Sequence, residues 1–234
     1  MNFELTDIQK QVQETFRDFA NTKVKPKAAE LDAEKKFPAD LFNEAGQLGF
    51  FGMRYPENAG GNGLDVVSYS LAVIEIARGS LSLAAACTMQ SLMGTYFLYR
   101  FGNEEIKNNY FTPALKGEKI GGICMTEPNS GSDLMSIKTI AKIVEGGFIL
   151  NCQKTWVTSA PVADFFTVLA RTDNNEQLSI FFVPANLPGV MVGKSIEKMG
   201  VRASVTSEVG FDNVKLPEKY LLGKIGEGTK CLKE

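Results

Sequence analysis

Apolar positions in the first half of the chain recur at helical spacing. Ile8, Val12, Phe16 and Phe19 fall four, four and three residues apart, on one helix face, with Thr6 placed to cap its N-terminus. Pro26 should kink that helix or end it near Val24. A short helix over about residues 38–48 closes at Gly49. The turn-rich run YPENAGGNGLD follows, and its Asp65 can cap a helix with Val67, Leu71 and Ile74 on its inner face, running to about Arg78. Residues 81–101 are apolar nearly all round, as suits a helix at the centre of a bundle. Asn103 caps a last helix carrying Ile106, Tyr110 and Phe111, which Pro113 and Gly117 end.

From residue 119 the pattern changes to strands. KIGGICM, SIKTIAKIV, GFILNCQKTWVTS, DFFTVLART, LSIFFVP and SEVGFDNVKL are short β-branched or aromatic runs. Turn signals such as Gly146-Gly147 and Asp173-Asn174-Asn175 separate them. No run leads into a helical stretch long enough for a βαβ crossover, so a parallel sheet of that kind is not expected. The fold class read from this pattern is α+β. An all-helical domain covers residues 1–118, and an antiparallel β-barrel or sandwich covers 119–234.

Composition narrows the chemistry. The chain has 234 residues, 44% of them hydrophobic and 22% charged, with a formal net charge of −2, which is ordinary for a soluble globular protein. Lys23, Lys25, Lys27, Lys35 and Lys36 cluster, but Glu30, Asp32 and Glu34 dilute them into a solvated helix face, so nucleic acid is not an expected partner. Ser82, Thr88, Gln90, Ser91 and Thr95 interrupt the uncharged stretch 81–99, which reads as a buried helix and not a membrane span. MNFELTDIQK lacks the basic start and apolar core of a signal peptide. Cys87, Cys124, Cys152 and Cys231 show no C-x-x-C spacing and suit buried thiols in a reducing compartment, so the expected location is cytoplasmic.

The chain contains no histidine. That removes Ser-His-Asp and Cys-His catalysis and imidazole-ligated zinc together, and no cysteine cluster offers a metal site instead. Difficult chemistry here has to come from carboxylates or a bound cofactor.

Two stretches offer a place for such a cofactor. GGICMTEPNSGSD leaves a strand, turns at Pro128 and presents a run of small polar residues whose N–H groups are unhindered, with hydroxyls at Thr126 and Ser132. It reads equally as a plain hairpin loop. In NCQKTWVTSAPVADFF the single tryptophan, Trp156, lies two residues before Thr158, so in a strand the indole and hydroxyl face one way and could hold an aromatic ring by its face and edge. A core Trp beside a β-forming Thr is the other reading. Gly61-Asn62-Gly63 and residues 223–228 lack the strand-to-helix context of a dinucleotide loop and read as surface turns.

These runs together resemble the acyl-CoA dehydrogenase family. CMTEPNSGSD resembles its T-E-P-x-A-G-S-D signature, KTWVTSA its K-x-W-I-T-N-A/G stretch, and KMGVRASVTSEVGFDNVKLP its K-x-G-x-R-x-S-x-T segment with the F-x-x-V-x-V-P that follows. YPENAGGNGLD and EIARGSLSLA match the loop and central-helix start of its helical domain. The resemblance implies FAD held by Ile123, Cys124, Met125, Thr126, Gly131 and Ser132 and by Trp156, Val157 and Thr158, with the Thr158 hydroxyl near flavin N5. It implies an acyl-CoA substrate whose pantetheine arm passes Ser132 and whose acyl chain meets Met89, Leu92 and Met93, residues that core packing would also explain.

The implied reaction is α,β-dehydrogenation: a carboxylate takes the α proton and the β hydrogen leaves as hydride to the flavin. Glu127 matches a structural position of the family, not the catalytic one. The implied acceptor is an electron-transfer flavoprotein, and the implied assembly is a homo-oligomer formed through a C-terminal helical bundle. That bundle carries the family's catalytic base, and the sequence reaches Glu234 where it would start, so no catalytic residue is expected within these residues. Asn129, Ser130, Cys152 and Ser159 depart from the usual pattern, Ser159 standing where Asn is common. Acyl-CoA oxidases and flavin monooxygenases of the same fold, and a binding module without the base, are the rival readings.

Overall fold

The computed structural model describes residues 3–173 and 175–233; Asn174, part of the expected Asp173-Asn174-Asn175 turn, lies outside the described residues. Its contacts group the chain into two compact units. The first comprises Met1–Ser91, Pro113–Glu118 and Glu197–Ser204, and the second Leu92–Thr112, Lys119–Ile196 and Val205–Glu234. The division is therefore not one cut along the sequence.

The first unit is helical. Helix α1 (Asp7–Phe19) opens with a reciprocal cap in which Thr6 Oγ1 accepts from the Gln9 N–H at 3.3 Å and Gln9 Oε1 accepts from the Thr6 N–H at 3.0 Å. Of the two outcomes expected at Pro26, a kink or an end, the helical path does not end. A π turn (Ala20–Val24) precedes α2 (Lys25–Glu34), and Pro26 lies in its first turn, where its missing N–H is not needed. Then come α3 (Ala39–Gln47), α4 (Val66–Gly79) and α5 (Leu81–Met89), with Asp65 capping α4 through the Ser68 N–H at 2.7 Å.

The inner face of α4 differs from the expected one. Val67 and Ile74 are 43% and 52% exposed, while Tyr69, Ala72, Glu75 and Ile76 are buried. The cause is polar. Glu75 sits inside because the Arg17 guanidinium donates to its Oε1 from both Nε and Nη2, at 3.2 and 2.9 Å. An inward carboxylate cannot be read from apolar periodicity. Ile8 is likewise 58% exposed, and α1 buries Gln9, Phe16 and Phe19 instead. Phe16, Phe50, Phe51, Phe42 and Tyr69 form the aromatic centre of this unit, with ring centroids 4.5–5.7 Å apart.

The expected single helix over 81–101 is broken. A π turn (Gln90–Gly94) follows α5, and α6 (Tyr96–Phe101) starts after Thr95. Asn103 caps α7 (Glu104–Ile106) as expected, its Oδ1 accepting from the Ile106 N–H at 2.9 Å. A third π turn (Lys107–Phe111) leads to α8 (Thr112–Leu115).

The second unit is built on β1 (Gly121–Cys124), β2 (Ile140–Val144), β3 (Gly147–Thr158), β4 (Phe165–Thr172), β5 (Asn175–Pro184), β6 (Val190–Val192), β7 (Thr206–Pro217) and β8 (Leu221–Leu222), followed by α9 (Gly228–Cys231). The sheet order is β6-β7-β3-β2-β4-β5-β8, with β1 added beside β4, so the sheet stays open and packs as a sandwich. Most pairs are antiparallel, but β1 and β2 both run parallel to β4. No crossover helix is required. β1 pairs with residues 165–168 and β2 with 171–172, so the two lie end to end along one edge of β4, like one strand interrupted by residues 125–139. The interrupting loop carries the PNSGSD run.

Strand β4 is buried on both sides. Phe166, Val168 and Ala170 join Phe148, Leu150, Phe181, Val183, Val209 and Phe211 in one apolar core. The alternate residue Phe165 meets Tyr110, which also lies edge-on to Phe182 at 4.7 Å. Each such phenylalanine contributes on the order of 2–3 kcal/mol by leaving water. Gly121 is required by this packing, because a Cβ there would lie 2.6 Å from the Phe165 ring. Among the described residues no helix is long and apolar enough to cross a membrane.

Candidate functional site

The loop 125–139 largely explains its own composition. Glu127 and Ser130 exchange backbone hydrogen bonds of 2.8 and 3.2 Å around Pro128-Asn129, which closes a tight turn. The Ser130 and Ser136 hydroxyls both donate to the Asp133 carbonyl at 2.8 Å, and Asp133 Oδ1 accepts from the Met135 N–H at 3.1 Å. Arg171 of β4 ties down the far end, donating from Nε to the Ile137 carbonyl at 2.9 Å and also to the Met135 carbonyl. Gly131 and Ser132 stand apart from this scheme. Both are exposed, and a Cβ on Gly131 would meet nothing within 4 Å, so the protein's own packing does not require a glycine there.

Beneath the loop lies an ion pair that the sequence reading did not single out. The Lys154 side chain is fully buried, and its Nζ donates to the Met125 carbonyl at 3.1 Å and to Glu127 Oε1 at 3.0 Å. Glu127 also accepts from the Lys138 and Thr139 N–H groups at 2.8 and 3.0 Å and from the Thr139 hydroxyl. Burial pushes the Glu127 carboxyl up. The Thr139 hydroxyl, the Lys138 N–H and Lys154 outweigh it and hold the group below the usual carboxylate range. Glu127 is therefore structural, in agreement with the resemblance. One signal pointed to Lys154: it shares strand parity with Phe148, Leu150 and Cys152 on the inward side of β3.

Trp156 is not a core residue. It is 63% exposed and its backbone is left-handed, with φ 58°. The β3–β7 register explains this. Lys154 pairs with Val209 and Val157 with Ser207, so β3 carries one extra residue in a bulge. The Thr155 N–H, freed from β7, donates to the Thr126 carbonyl at 2.9 Å. The two stretches singled out in the sequence thus meet through their main chains. Val157 is buried in the sheet core and Thr158 is half-buried. Ser159 is also left-handed, with φ 64°, a conformation that asparagine tolerates better than most non-glycine residues.

Ile123 and Cys124 are buried on β1, and Met125 and Thr126 emerge half-buried at its end. Among the described residues nothing hydrogen-bonds the hydroxyls of Thr126, Ser132 or Thr158. Cys152 is raised to about 11 by burial and Cys124 is pushed up further, so both thiols stay protonated and are not nucleophiles. Leu92 and Met93 are half-buried in the second unit, and Met89 is half-buried at the end of α5 in the first. Among the described residues no acidic, histidine or cysteine cluster could hold a metal ion.

An exposed indole, three unpartnered hydroxyls and a glycine with open space before it fit a flat aromatic ligand with a hydrogen-bonding edge. Comparison with known proteins identifies the family. Residues 6–118 match the acyl-CoA dehydrogenase N-terminal domain, and residues 122–214 match the acyl-CoA dehydrogenase middle domain. The chain belongs to the acyl-CoA dehydrogenase family.

It is 54% identical to benzylmalonyl-CoA dehydrogenase of Aromatoleum aromaticum over 235 aligned residues, covering 100% of this chain and 62% of that protein. The solved butyryl-CoA dehydrogenase of Megasphaera elsdenii superposes with a TM-score of 0.93 at 33% identity, covering 99% of this chain and 62% of that one. An acyl-CoA dehydrogenase from Bacillus anthracis, solved in complex with FAD, superposes at 0.90 with 33% identity, covering 98% and 40%. The chain thus spans about 62% of the length of the first relatives it matches.

Proposed function

We propose that this acyl-CoA dehydrogenase family chain binds FAD against Trp156 and forms the flavin- and thioester-holding part of an acyl-CoA dehydrogenase. The observation that carries the reading is Trp156 itself: an indole turned outward by a left-handed bulge and joined by the Thr155–Thr126 hydrogen bond to the second stretch. A core tryptophan would not be built this way.

In this reading the Trp156 face forms one wall for the ring system. The hydroxyls of Thr158 and Thr126 hydrogen-bond its edge, and the main chain of Ile123–Thr126 with Val157 fixes the strands that present them. Gly131 lets the loop backbone approach without a side chain between. FAD bound there supplies a two-electron acceptor. Ser132 orients the pantetheine arm, and Leu92 and Met93 contact the acyl chain.

No carboxylate among these residues is assigned as the base. Glu127 already accepts from Lys154, Lys138 and Thr139, so proton abstraction is assigned to sequence that the relatives carry beyond the matched 62%. The acceptor after turnover is an electron-transfer flavoprotein, the assembly a homo-oligomer and the setting the cytoplasm. The 54% identity to benzylmalonyl-CoA dehydrogenase, against 33% to butyryl-CoA dehydrogenase, favours a substituted aryl-acyl thioester over a short straight chain. A second reading is a flavin-binding piece without turnover of its own.

Anaerobic titration of the FAD-loaded protein with benzylmalonyl-CoA, butyryl-CoA and longer thioesters separates these readings. Bleaching of the flavin band, strongest with the aryl substrate once the remaining region is supplied, supports the dehydrogenase. No bleaching by any thioester under those conditions overturns it. Oxygen consumption during turnover would favour an oxidase.

A further inference from the structure

The bulge that carries Trp156 is held from outside the sheet. Between the Lys154–Val209 and Val157–Ser207 pairs, β3 gives Thr155 and Trp156 no register partner on β7. Thr155 instead donates its N–H to the Thr126 carbonyl, so the bulge rests on residues 125–127. Those residues are fixed by Lys154, two positions before Trp156, through the Met125 carbonyl and the Glu127 carboxylate. Glu127 is anchored in turn to the Lys138 and Thr139 N–H groups just before β2. The circuit closes on itself: β3 holds the loop through a buried lysine, and the loop holds the bulge of β3.

We infer that the buried Lys154–Glu127 pair is a positioning device that sets the orientation of the Trp156 indole and of the Met125–Thr126 main chain before any ligand arrives. A buried ion pair is weak as a source of stability, because apolar side chains of similar size hold a core as well. What the pair adds is direction. Lys154 holds the Met125 carbonyl and the Glu127 carboxylate on either side of Thr126, and the Thr126 carbonyl in turn accepts from the Thr155 N–H beside the left-handed Trp156. Neither Lys154 nor Glu127 touches the ligand in this scheme; both act through Trp156 and the loop. The part of the inference that concerns FAD rests on the reading given above, whereas the part that concerns Trp156 does not.

Trp156 is the single tryptophan of the chain, so its emission reports the site directly. The test compares the full chain with the double variant Lys154→Met/Glu127→Gln, which removes both charges, and with Glu127→Gln alone, which keeps the carboxylate's shape. Time-resolved anisotropy is recorded without flavin. The unaltered protein is expected to show an indole that is quenchable by acrylamide yet rotates only with the whole molecule. The double variant should keep its far-UV circular dichroism and a cooperative unfolding transition while gaining a fast local component, and Glu127→Gln should show a smaller one.

FAD affinity should then fall by about tenfold to a hundredfold in the double variant. Unchanged indole motion in the folded variants would overturn the inference and leave the pair a packing feature only. Should the double variant fail to fold, Glu127→Gln decides on the same criterion. If the unaltered chain takes up no FAD, the flavin reading fails, while the anisotropy comparison still decides the positioning role.

Discussion

Trp156 combines high exposure with a backbone conformation that costs a non-glycine residue about 1–2 kcal/mol. Trp156→Gly should therefore leave thermal stability unchanged or raise it by up to about 1 kcal/mol while abolishing retention of FAD. Trp156→Ala should alter stability little, whereas Phe148→Ala, at a ring that is 4% exposed, should lose about 3–5 kcal/mol yet keep far more flavin in its folded fraction. Equal flavin occupancy in the two alanine variants would make Trp156 an ordinary side chain. Glu127 gives a pH signature. Its folded-state carboxyl is held below the ordinary value, so its stabilising effect is present above the unfolded value of about 4.3 and is lost as pH falls through the lower folded one. The gap in unfolding temperature between the unaltered protein and Glu127→Gln should be full at neutral pH and close in acid. A gap that is the same at every pH would contradict this assignment. At this scale the tryptophan and its hydroxyl neighbours were legible as residue types, but their presentation was not, because a bulge depends on the register of a partner strand far along the chain.

Among the elements, helices with polar caps were the most legible. Thr6, Asp65 and Asn103 each cap as their sequence context indicates, since the cap and the N–H it serves are only three residues apart. Inner faces were less legible wherever a charge is buried. Glu75 turns α4 away from its apolar stripe, and Lys154 occupies a core position of β3. The three π turns also escape periodicity, because one extra residue in a turn leaves no mark in composition. The site loop 125–139 follows from an element that the pattern split correctly into two strands but could not place end to end on β4. Two glycines distinguish packing from ligand space. A Cβ at Gly147 would lie 2.0 Å from the Leu216 carbonyl, so Gly147→Ala should cost about 1–3 kcal/mol or more in unfolding free energy. Gly131→Ala, meeting nothing, should unfold like the unaltered protein and yet bind FAD more weakly. Matching unfolding curves for the two variants would show that the β3–β7 contact at Gly147 yields freely.

For the whole molecule, the helical half followed by the strand-rich half was plain from the change of apolar period near residue 119. The grouping of residues 92–112 with the strands and of 197–204 with the helices was not, because it depends on contacts between distant parts of the chain. Absence of histidine pointed to a borrowed cofactor, and the outward indole is the face on which the proposal places it. The most direct test follows the emission of the single tryptophan while FAD is added to the chain. Binding against Trp156 predicts saturable quenching that reaches its plateau at equimolar FAD and disappears when Ser132 and Gly131 are both replaced by bulky residues. FAD that binds stoichiometrically without altering the indole emission would contradict the placement of the cofactor on this face.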